Sequence, residues 1–204
     1  MSKIKICGLT RPQDIEAVNL ILPDYVGFVF AHSKRQVSDD AAKSLKSHLN
    51  SFIKAAGVFV NDEIEHIEHL CNLNIIDIVQ LHGDENEEYI KKLRKYIPNK
   101  IIKAVRVKDS NDIKMANEFS SDYLLLDAYY EKQYGGSGIT FDWSLISKMS
   151  KTYFLAGGIN IKNILDAQNL CSPYCMDVSS GVETDGLKDK EKIIKIVTKI
   201  RSVK

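Results

Sequence analysis

The chain has 204 residues, of which 28 are Lys or Arg and 27 are Asp or Glu, so its formal net charge is +1. A hydrophobic fraction of 44% with 27% charged residues is typical of a folded globular protein and excludes a disordered chain. The balanced charge argues against a nucleic-acid binder, which would normally carry a basic excess.

Short β-rich runs alternate along the chain with segments of helical periodicity. The predicted strands are residues 3–7, 25–30, 53–60, 76–81, 101–107, 123–127, 153–156 and 174–178. The predicted helices are residues 14–22, 40–49, 62–73, 85–96, 109–119, 143–149, 161–170 and 188–203. Several strand runs are almost continuously apolar, as expected when both faces of a sheet are buried.

The strand-helix repeat occurs eight times, which leaves about 25 residues per unit and predicts a parallel sheet. Eight such units close into a barrel. We therefore predict an α/β protein in which residues 1–204 form a single-domain (β/α)8 TIM barrel. An open doubly wound sheet fits the same periodicity and is the structural alternative.

In such a barrel the active site lies where the carboxyl ends of the strands lead into the following loops. Cys7 and Asp127 occupy the ends of the first and sixth predicted strands. A thiol and a carboxyl group can divide the roles of base and acid if their surroundings separate their pKa values. A buried cysteine that only packs, and an aspartate that caps a helix, are the competing interpretations.

Glycine-rich loops follow the seventh and eighth predicted strands, at Gly157-Gly158 and at Ser180-Gly181. Their backbone N–H groups can approach an anion closely, and these are the loops that commonly bind phosphate in barrel enzymes. Simple turn residues are the alternative reading. The chain has neither a dinucleotide-binding glycine fingerprint nor a Walker motif.

The cysteine pattern and the absence of long apolar runs limit the cellular setting. Four cysteines are too few for a disulfide scaffold, and Cys171 and Cys175 lack the second ligand pair of a zinc site. No apolar run reaches the roughly 20 residues of a membrane helix, and the polar N-terminus is unlike a signal peptide. We expect a cytoplasmic protein with no metal and with neither nucleic-acid nor membrane partners.

Motifs along the whole chain resemble the phosphoribosylanthranilate isomerase family, whose fold is a (β/α)8 barrel. The matches occur from end to end in the family's order, which makes them far more specific than any single motif. They are Lys5-Ile6-Cys7-Gly8-Leu9-Thr10, Gly27-Phe28-Val29-Phe30, Gly57-Val58-Phe59-Val60-Asn61, Val79-Gln80-Leu81-His82-Gly83-Asp84-Glu85, Leu126-Asp127, Gly135-Gly136-Ser137-Gly138 with Phe141-Asp142-Trp143, Leu155-Ala156-Gly157-Gly158-Ile159, and Asp177 with Ser179-Ser180-Gly181-Val182-Glu183.

The resemblance implies an isomerase of tryptophan biosynthesis that catalyses an Amadori rearrangement. Its substrate would be N-(5-phosphoribosyl)anthranilate and its product 1-(2-carboxyphenylamino)-1-deoxyribulose 5-phosphate. The family pattern makes Cys7 the general base and Asp127 the general acid. The rearrangement needs no external redox partner, so no cofactor is expected.

The same resemblance assigns substrate-binding residues. Arg35 would bind the anthranilate carboxylate, since a guanidinium can bind it through two N–H groups. His82 and Asp177 would line the substrate site, and Gly136 would join Gly157, Gly158, Ser180 and Gly181 around the phosphate. The family usually has Ser-Pro-Arg before this arginine, whereas this chain has Ser33-Lys34-Arg35, so the loop loses the restraint of proline.

Other readings remain at this point. Indole-glycerol-phosphate synthase would need a catalytic lysine at a strand end, and a pentose-phosphate epimerase would need metal-binding His and Asp pairs there; neither is present. A non-catalytic or differently specific phosphosugar-binding barrel is the alternative from another class. The expected partner is a small phosphosugar, and the chain is a monomer or a homodimer.

Overall fold

The computed structural model describes residues 2–128 and 142–202. Eight parallel strands form a closed barrel in which each strand pairs with the next and the eighth pairs with the first. This closure excludes the open doubly wound sheet. The barrel strands are β1 (Lys3–Cys7), β2 (Tyr25–Val29), β3 (Lys54–Phe59), β4 (Ile78–Leu81), β5 (Lys100–Val107), β6 (Tyr123–Ala128), β7 (Tyr153–Leu155) and β8 (Cys175–Val178).

Within the described ranges, seven α-helices surround the barrel. Several begin at a side chain that accepts a backbone N–H group, such as Ser38, Asn86 and Asp189, which satisfies donors that the first turn leaves free. None of these helices is long and apolar enough to cross a membrane. The helices are α1 (Pro12–Ile21), α2 (Asp39–Ser47), α3 (Ile64–Asn72), α4 (Glu87–Leu93), α5 (Ser110–Ala116), α6 (Ile164–Cys171) and α7 (Lys190–Arg201).

The predicted sixth helix, 143–149, is wrong in type, because the structure has a 3-10 helix at Trp143–Lys148. Asp142 caps its start and Met149 leaves it in an extended conformation, so only six residues are helical. A segment this short suits the tighter 3-10 geometry.

The predicted last helix, 188–203, starts too early. Two short antiparallel strands precede it, β9 (Glu183–Thr184) and β10 (Leu187–Lys188), so that α7 begins only after Asp189. Asp185 and Gly186 join the strands with φ angles of 52° and 80°. Two positive φ angles define the tight hairpin turn for which Asp-Gly is a strong sequence signal.

The core has two layers, because alternate residues of each strand point to opposite sides. The larger layer packs the outer face of the barrel against the helices, with Ile4, Ile6 and Val79 among its buried residues. The smaller layer fills the barrel itself and includes Leu125 and Phe154. The barrel is therefore a packed interior and not a pore.

Aromatic rings fill the amino-terminal end of the barrel. Tyr25 and Tyr123 pack edge-on against Phe154 at centroid distances of 5.5 and 5.6 Å, and Tyr174 stacks on Tyr123 at 5.3 Å. Such contacts add to the stabilisation from burial. With this end filled, the opposite end of the barrel is available for a ligand site.

Candidate functional site

A cavity of about 660 Å³ opens at the carboxyl ends of the strands. Its lining comes from seven of the eight strands or the loops after them, and combines apolar side chains such as Val29 and Val58 with a few polar groups. This is the usual composition of a small-molecule site. Of the predicted site residues, those that line this cavity are Cys7, Arg35, His82, Asp127, Gly157, Gly158, Asp177 and Ser180.

Cys7 is the last residue of β1, and its side chain reaches the cavity although the residue is only 9% exposed. Burial raises the pKa of its thiol, and the nearby positive charge of Lys5 opposes that effect. The surroundings of the sulfur therefore favour the thiolate more than a purely apolar pocket would.

Asp127 ends a chain of hydrogen-bonded side chains that crosses the cavity wall from β4 to β6. Gln80 Nε2 lies 2.8 Å from His82 Nδ1, and His82 Nε2 lies 3.2 Å from Asp127 Oδ2. The Ala128 N–H group donates to the other carboxylate oxygen at 2.9 Å. If Gln80 donates to Nδ1, His82 carries its proton on Nε2 and donates it towards Asp127.

Arg35 lies in the loop after β2 and forms a two-bonded contact with Glu183 of β9. Its Nε and Nη2 atoms donate to the two carboxylate oxygens at 2.7 and 2.9 Å. Lys188 of β10 donates to the same carboxylate at 2.5 Å. Burial would raise the pKa of Glu183, but the hydrogen bonds from Arg35 and Lys188 outweigh it and lower that pKa to about 2.

The Arg35 contact leaves one edge of the guanidinium available. Nη1 has no hydrogen-bond partner in the part of the chain that the structure describes, and Arg35 lines the cavity. The preceding loop is held by Ser33, whose carbonyl accepts the Gln36 N–H group and whose hydroxyl accepts the Arg35 N–H group. Hydrogen bonds therefore restrain the turn in which Lys34 stands where the family usually has proline.

Asp177 of β8 pairs with Lys5 of β1 inside the barrel, directly below the cavity. Lys5 is fully buried, and its Nζ atom donates to Asp177 Oδ2 at 2.8 Å. Asp177 Oδ1 is also buried and has no hydrogen-bond partner among the described residues. A buried carboxylate oxygen without a partner is costly, and here it belongs to a residue that lines the cavity.

The glycine loops lie side by side at the cavity. Gly157 and Gly158 have φ angles of 79° and 67°, in the left-handed region that favours glycine. Gly181 does not line the cavity; a Cβ there would lie 2.1 Å from the Ile159 carbonyl oxygen, so glycine lets the two loops pack closely. The predicted phosphate residue Gly136 lies outside the described residues.

Lys5, Gln80, Glu183 and Lys188 belong to this site although the sequence reasoning gave none of them a role. Alternation along β1 could have found Lys5, since residues two apart share a face and Cys7 points inward. The same rule connects Gln80 with His82. The Asp185-Gly186 turn signal could have shown that Glu183 and Lys188 face each other across a hairpin.

In the described ranges, no group of three or more His, Cys, Asp or Glu side chains is arranged so that it could hold a metal ion.

Comparisons with known proteins agree over the whole chain. Residues 4–199 match the family model described as N-(5'phosphoribosyl)anthranilate (PRA) isomerase. The chain is 48% identical to the N-(5'-phosphoribosyl)anthranilate isomerase of Endomicrobium trichonymphae, with 100% of both chains covered. It is 46% identical to the enzyme of that name from Clostridium acetobutylicum, again with 100% coverage of both.

Solved structures give the same result. The phosphoribosyl anthranilate isomerase of Thermotoga maritima superposes with a TM-score of 0.88 at 35% identity, and the match covers 100% of each chain. Another isomerase structure, in complex with reduced 1-(o-carboxyphenylamino)-1-deoxyribulose 5-phosphate, superposes with a TM-score of 0.84 at 33% identity and the same coverage.

Proposed function

The chain belongs to the N-(5'-phosphoribosyl)anthranilate isomerase family, and from this we propose that Cys7 and Asp127 are the base and the acid of its reaction. The protein is an isomerase that converts N-(5'-phosphoribosyl)anthranilate to 1-(2-carboxyphenylamino)-1-deoxyribulose 5-phosphate in tryptophan biosynthesis. The observation that carries the proposal is that Cys7 and Asp127, from β1 and β6, line the same cavity.

Ring opening is the first chemical step. Asp127, in its protonated form, gives its proton to the furanose oxygen, and the bond from that oxygen to C1 breaks as the amine nitrogen forms a Schiff base with C1. Hydrogen bonds from His82 Nε2 and the Ala128 N–H group fix the orientation of the carboxyl group. A fixed orientation lets one oxygen stay directed at the substrate during proton transfer.

Removal of the C2 proton is the second step. The Cys7 thiolate takes this proton, and the electron pair moves to the Schiff base to give an enamine with a hydroxyl on C2. Loss of the hydroxyl proton and protonation of C1 then give the ketone. Atoms and electrons balance within the substrate, so the proposed sequence calls for no cofactor.

The remaining cavity residues would hold the substrate across the barrel mouth. The available Nη1 edge of Arg35 suits the anthranilate carboxylate. The N–H groups of the Gly157-Gly158 and Ser180 loops suit the phosphate, and Asp177 Oδ1 suits a sugar hydroxyl. His82 would face the reacting end through its contact with Asp127.

We also propose a cellular location and an oligomeric state for this chain, both of which follow from its family. We place the enzyme in the cytoplasm, as one domain that acts as a monomer or a homodimer. One solved structure is described as monomers generated from the dimeric isomerase of Thermotoga maritima. Size-exclusion chromatography with light scattering would measure the oligomeric state of this chain directly.

Activity is tested by following the fluorescence of freshly prepared phosphoribosylanthranilate as purified protein consumes it. We expect turnover without added metal or cofactor. Binding of the substrate without turnover would instead support a non-catalytic phosphosugar-binding barrel.

The acid and base roles are tested with Cys7→Ser and Asp127→Asn. Serine is hardly ever ionised at neutral pH and asparagine cannot give a proton as an acid, so each change should lower kcat by at least ~10²-fold. KM should change less, and the double variant should fall well short of additive because both groups serve one proton-transfer sequence. Thermal melts control for folding. A folded Cys7→Ser enzyme with native turnover would make Cys7 a packing residue.

A further inference from the structure

Lys5 and Cys7 share the inward face of β1, because residues two apart on a strand point the same way. Lys5 pairs in register with Asp177 of the neighbouring strand β8, and its Nζ atom donates to the Asp177 carboxylate at 2.8 Å. The ammonium is also close enough to the Cys7 sulfur for its positive charge to lower the pKa of the thiol. It is therefore held between the carboxylate and the sulfur, with no exposure to solvent.

The Cys7 sulfur lies in a confined space. It packs so closely on β2 that a Cβ at Gly27 would be 2.6 Å from the sulfur. Little water can reach this position to solvate a negative charge, so burial favours the neutral thiol. Only a fixed positive charge beside the sulfur can offset that cost.

We propose that Lys5 is a positioning residue for Cys7, and that its buried ammonium, oriented by Asp177, stabilises the thiolate form of the Cys7 side chain. The inference deepens the proposed function and rests on it for the catalytic consequence. Lys5 moves no proton itself: the Cys7 proton leaves to solvent through the cavity, and Lys5 keeps its own. The lysine acts on the substrate only through the sulfur.

The other charges near the sulfur are already committed to one another. Arg35 and Lys188 both donate to the Glu183 carboxylate, and Lys188 also contacts the Ser179 oxygens. The positive charges of Lys5 and Lys188 lower the pKa of Cys7, and the negative charge of Asp177 raises it. Of these positive charges, Lys5 has the larger effect on the thiol, and it shares the inward face of β1 with Cys7.

Lys5 keeps its proton over the working pH range. Burial alone would lower the pKa of its ammonium, but the Asp177 carboxylate and the Cys7 thiolate outweigh burial and raise that pKa above its ordinary value. A permanent charge of this kind can favour the thiolate at every pH at which the enzyme works.

The test is the pH dependence of Cys7 alkylation in the absence of substrate. Iodoacetamide reacts with the thiolate, and mass spectrometry of the Cys7 peptide separates this thiol from the other three cysteines. The variants are Lys5→Met and the double change Lys5→Met with Asp177→Asn, which leaves no unpaired carboxylate and provides a folded protein if the single variant is unstable. Lys103→Met combined with Glu85→Gln is the matched control, since Lys103 is also buried and bonded to a carboxylate, at 2.7 Å from Glu85, and the double change leaves no unpaired charge.

Lys5→Met should raise the alkylation midpoint by roughly one pH unit or more, the usual effect of losing a close opposite charge. At a fixed pH below the midpoint this is at least a ~10-fold slower reaction. The double variant should raise the midpoint by a smaller amount, because it also removes the Asp177 charge that raises the pKa of Cys7. The Lys103→Met, Glu85→Gln control should keep the native midpoint. If both Lys5 variants alkylate Cys7 with the native midpoint, the proposal is wrong and Lys5 is a packing group.

Enzyme kinetics separate this inference from the base role of Cys7. If Cys7 is the base, the low-pH limb of kcat/KM in the Lys5 variants should move with the alkylation midpoint. A midpoint that moves while the kinetic limb stays would uphold the effect of Lys5 on the thiol and refute the proposed role of Cys7.

Discussion

Lys5 and Lys103 are both buried on barrel strands beside a carboxylate, and the surroundings of the two pairs differ. Glu85, the partner of Lys103, also accepts the N–H groups of Asn61 and Gly83, and Lys103 donates to the Gly83 carbonyl. Every polar atom of this pair is bonded within the protein. It connects β5 to the loop after β4.

The Lys5 pair is incomplete by comparison. It lies inside the barrel, and one oxygen of Asp177 is buried without a partner. Gln80, two residues before His82, shows the same feature at its Oε1 atom. Both residues line the cavity. Buried polar groups are normally satisfied, so two unsatisfied atoms on the opposite strands β4 and β8, in residues that line one cavity, are consistent with a ligand that completes the network between them.

The largest effect that this comparison predicts is on stability. Lys103→Met leaves the Glu85 carboxylate buried without its counter-charge, and we expect the free energy of unfolding to fall by about 3–5 kcal/mol. Lys5→Met should cost at least as much, since it leaves Asp177 without a hydrogen-bond donor among the described residues, whereas Glu85 keeps the N–H groups of Asn61 and Gly83. Urea unfolding followed by circular dichroism measures both changes.

Adding Glu85→Gln to Lys103→Met removes the unpaired charge and should recover part of the loss. A loss of ~1 kcal/mol or less from Lys103→Met would make this pair no stronger than an exposed salt bridge.

The Glu183 cluster predicts a pH effect of somewhat smaller size. The pKa of Glu183 is about 2 in the folded protein, against an ordinary value of 4.5. The ionised carboxylate therefore stabilises the fold above pH 4.5, and this stabilisation is lost as the pH falls towards 2. The difference between the two values corresponds to about 3 kcal/mol at neutral pH. Unfolding free energies measured from pH 6 to pH 2 should show this loss.

Glu183→Gln should make the stability less dependent on pH over that range. Glu191→Gln is the matched control, because Glu191 is an exposed carboxylate of α7 that faces only Lys195. An unchanged acid profile in Glu183→Gln would mean that Arg35 and Lys188 contribute nothing measurable through this carboxylate.

The barrel could be predicted from the sequence because the same strand-helix pattern occurs eight times along the chain. Eight apolar runs separated by helical segments carry the same signal, so errors of one or two residues at strand ends did not matter. The 3-10 helix at Trp143–Lys148 was missed because a short amphipathic segment has the same pattern in either helix type.

The site was only partly predictable, for a different physical reason. Cys7 and Asp127 stand at strand ends, where position along the chain already indicates the cavity. Lys5 and Lys188 matter because of partners 172 and 5 residues away, which only the folded chain brings into contact. Alternation can place Lys5 on the same face as Cys7, but it does not show which carboxylate the lysine meets on another strand.

Arg35 has one edge bonded within the protein and another edge available to a ligand, and its replacement by lysine gives the smallest of the predicted effects. One edge of its guanidinium is bonded to Glu183, as in the completed Lys103 pair, and the Nη1 side is available to the cavity, as in the Lys5 pair. Lysine at this position keeps the charge but lacks the planar guanidinium, which bonds Glu183 through two N–H groups on one edge and presents further N–H groups on another. We therefore expect Arg35→Lys to raise KM by about 10-fold, the equivalent of one lost charge-assisted hydrogen bond, with a smaller change in kcat.

Arg94→Lys controls for a general effect of replacing arginine, because Arg94 caps α4, pairs with Asp122 and does not line the cavity. Its KM should stay native. A native KM in folded Arg35→Lys would restrict Arg35 to holding the hairpin of β9 and β10 through Glu183. A raised KM would show that the available edge of the guanidinium binds substrate, while the other edge holds the hairpin of β9 and β10 through Glu183. One side chain would then serve both substrate binding and the fold.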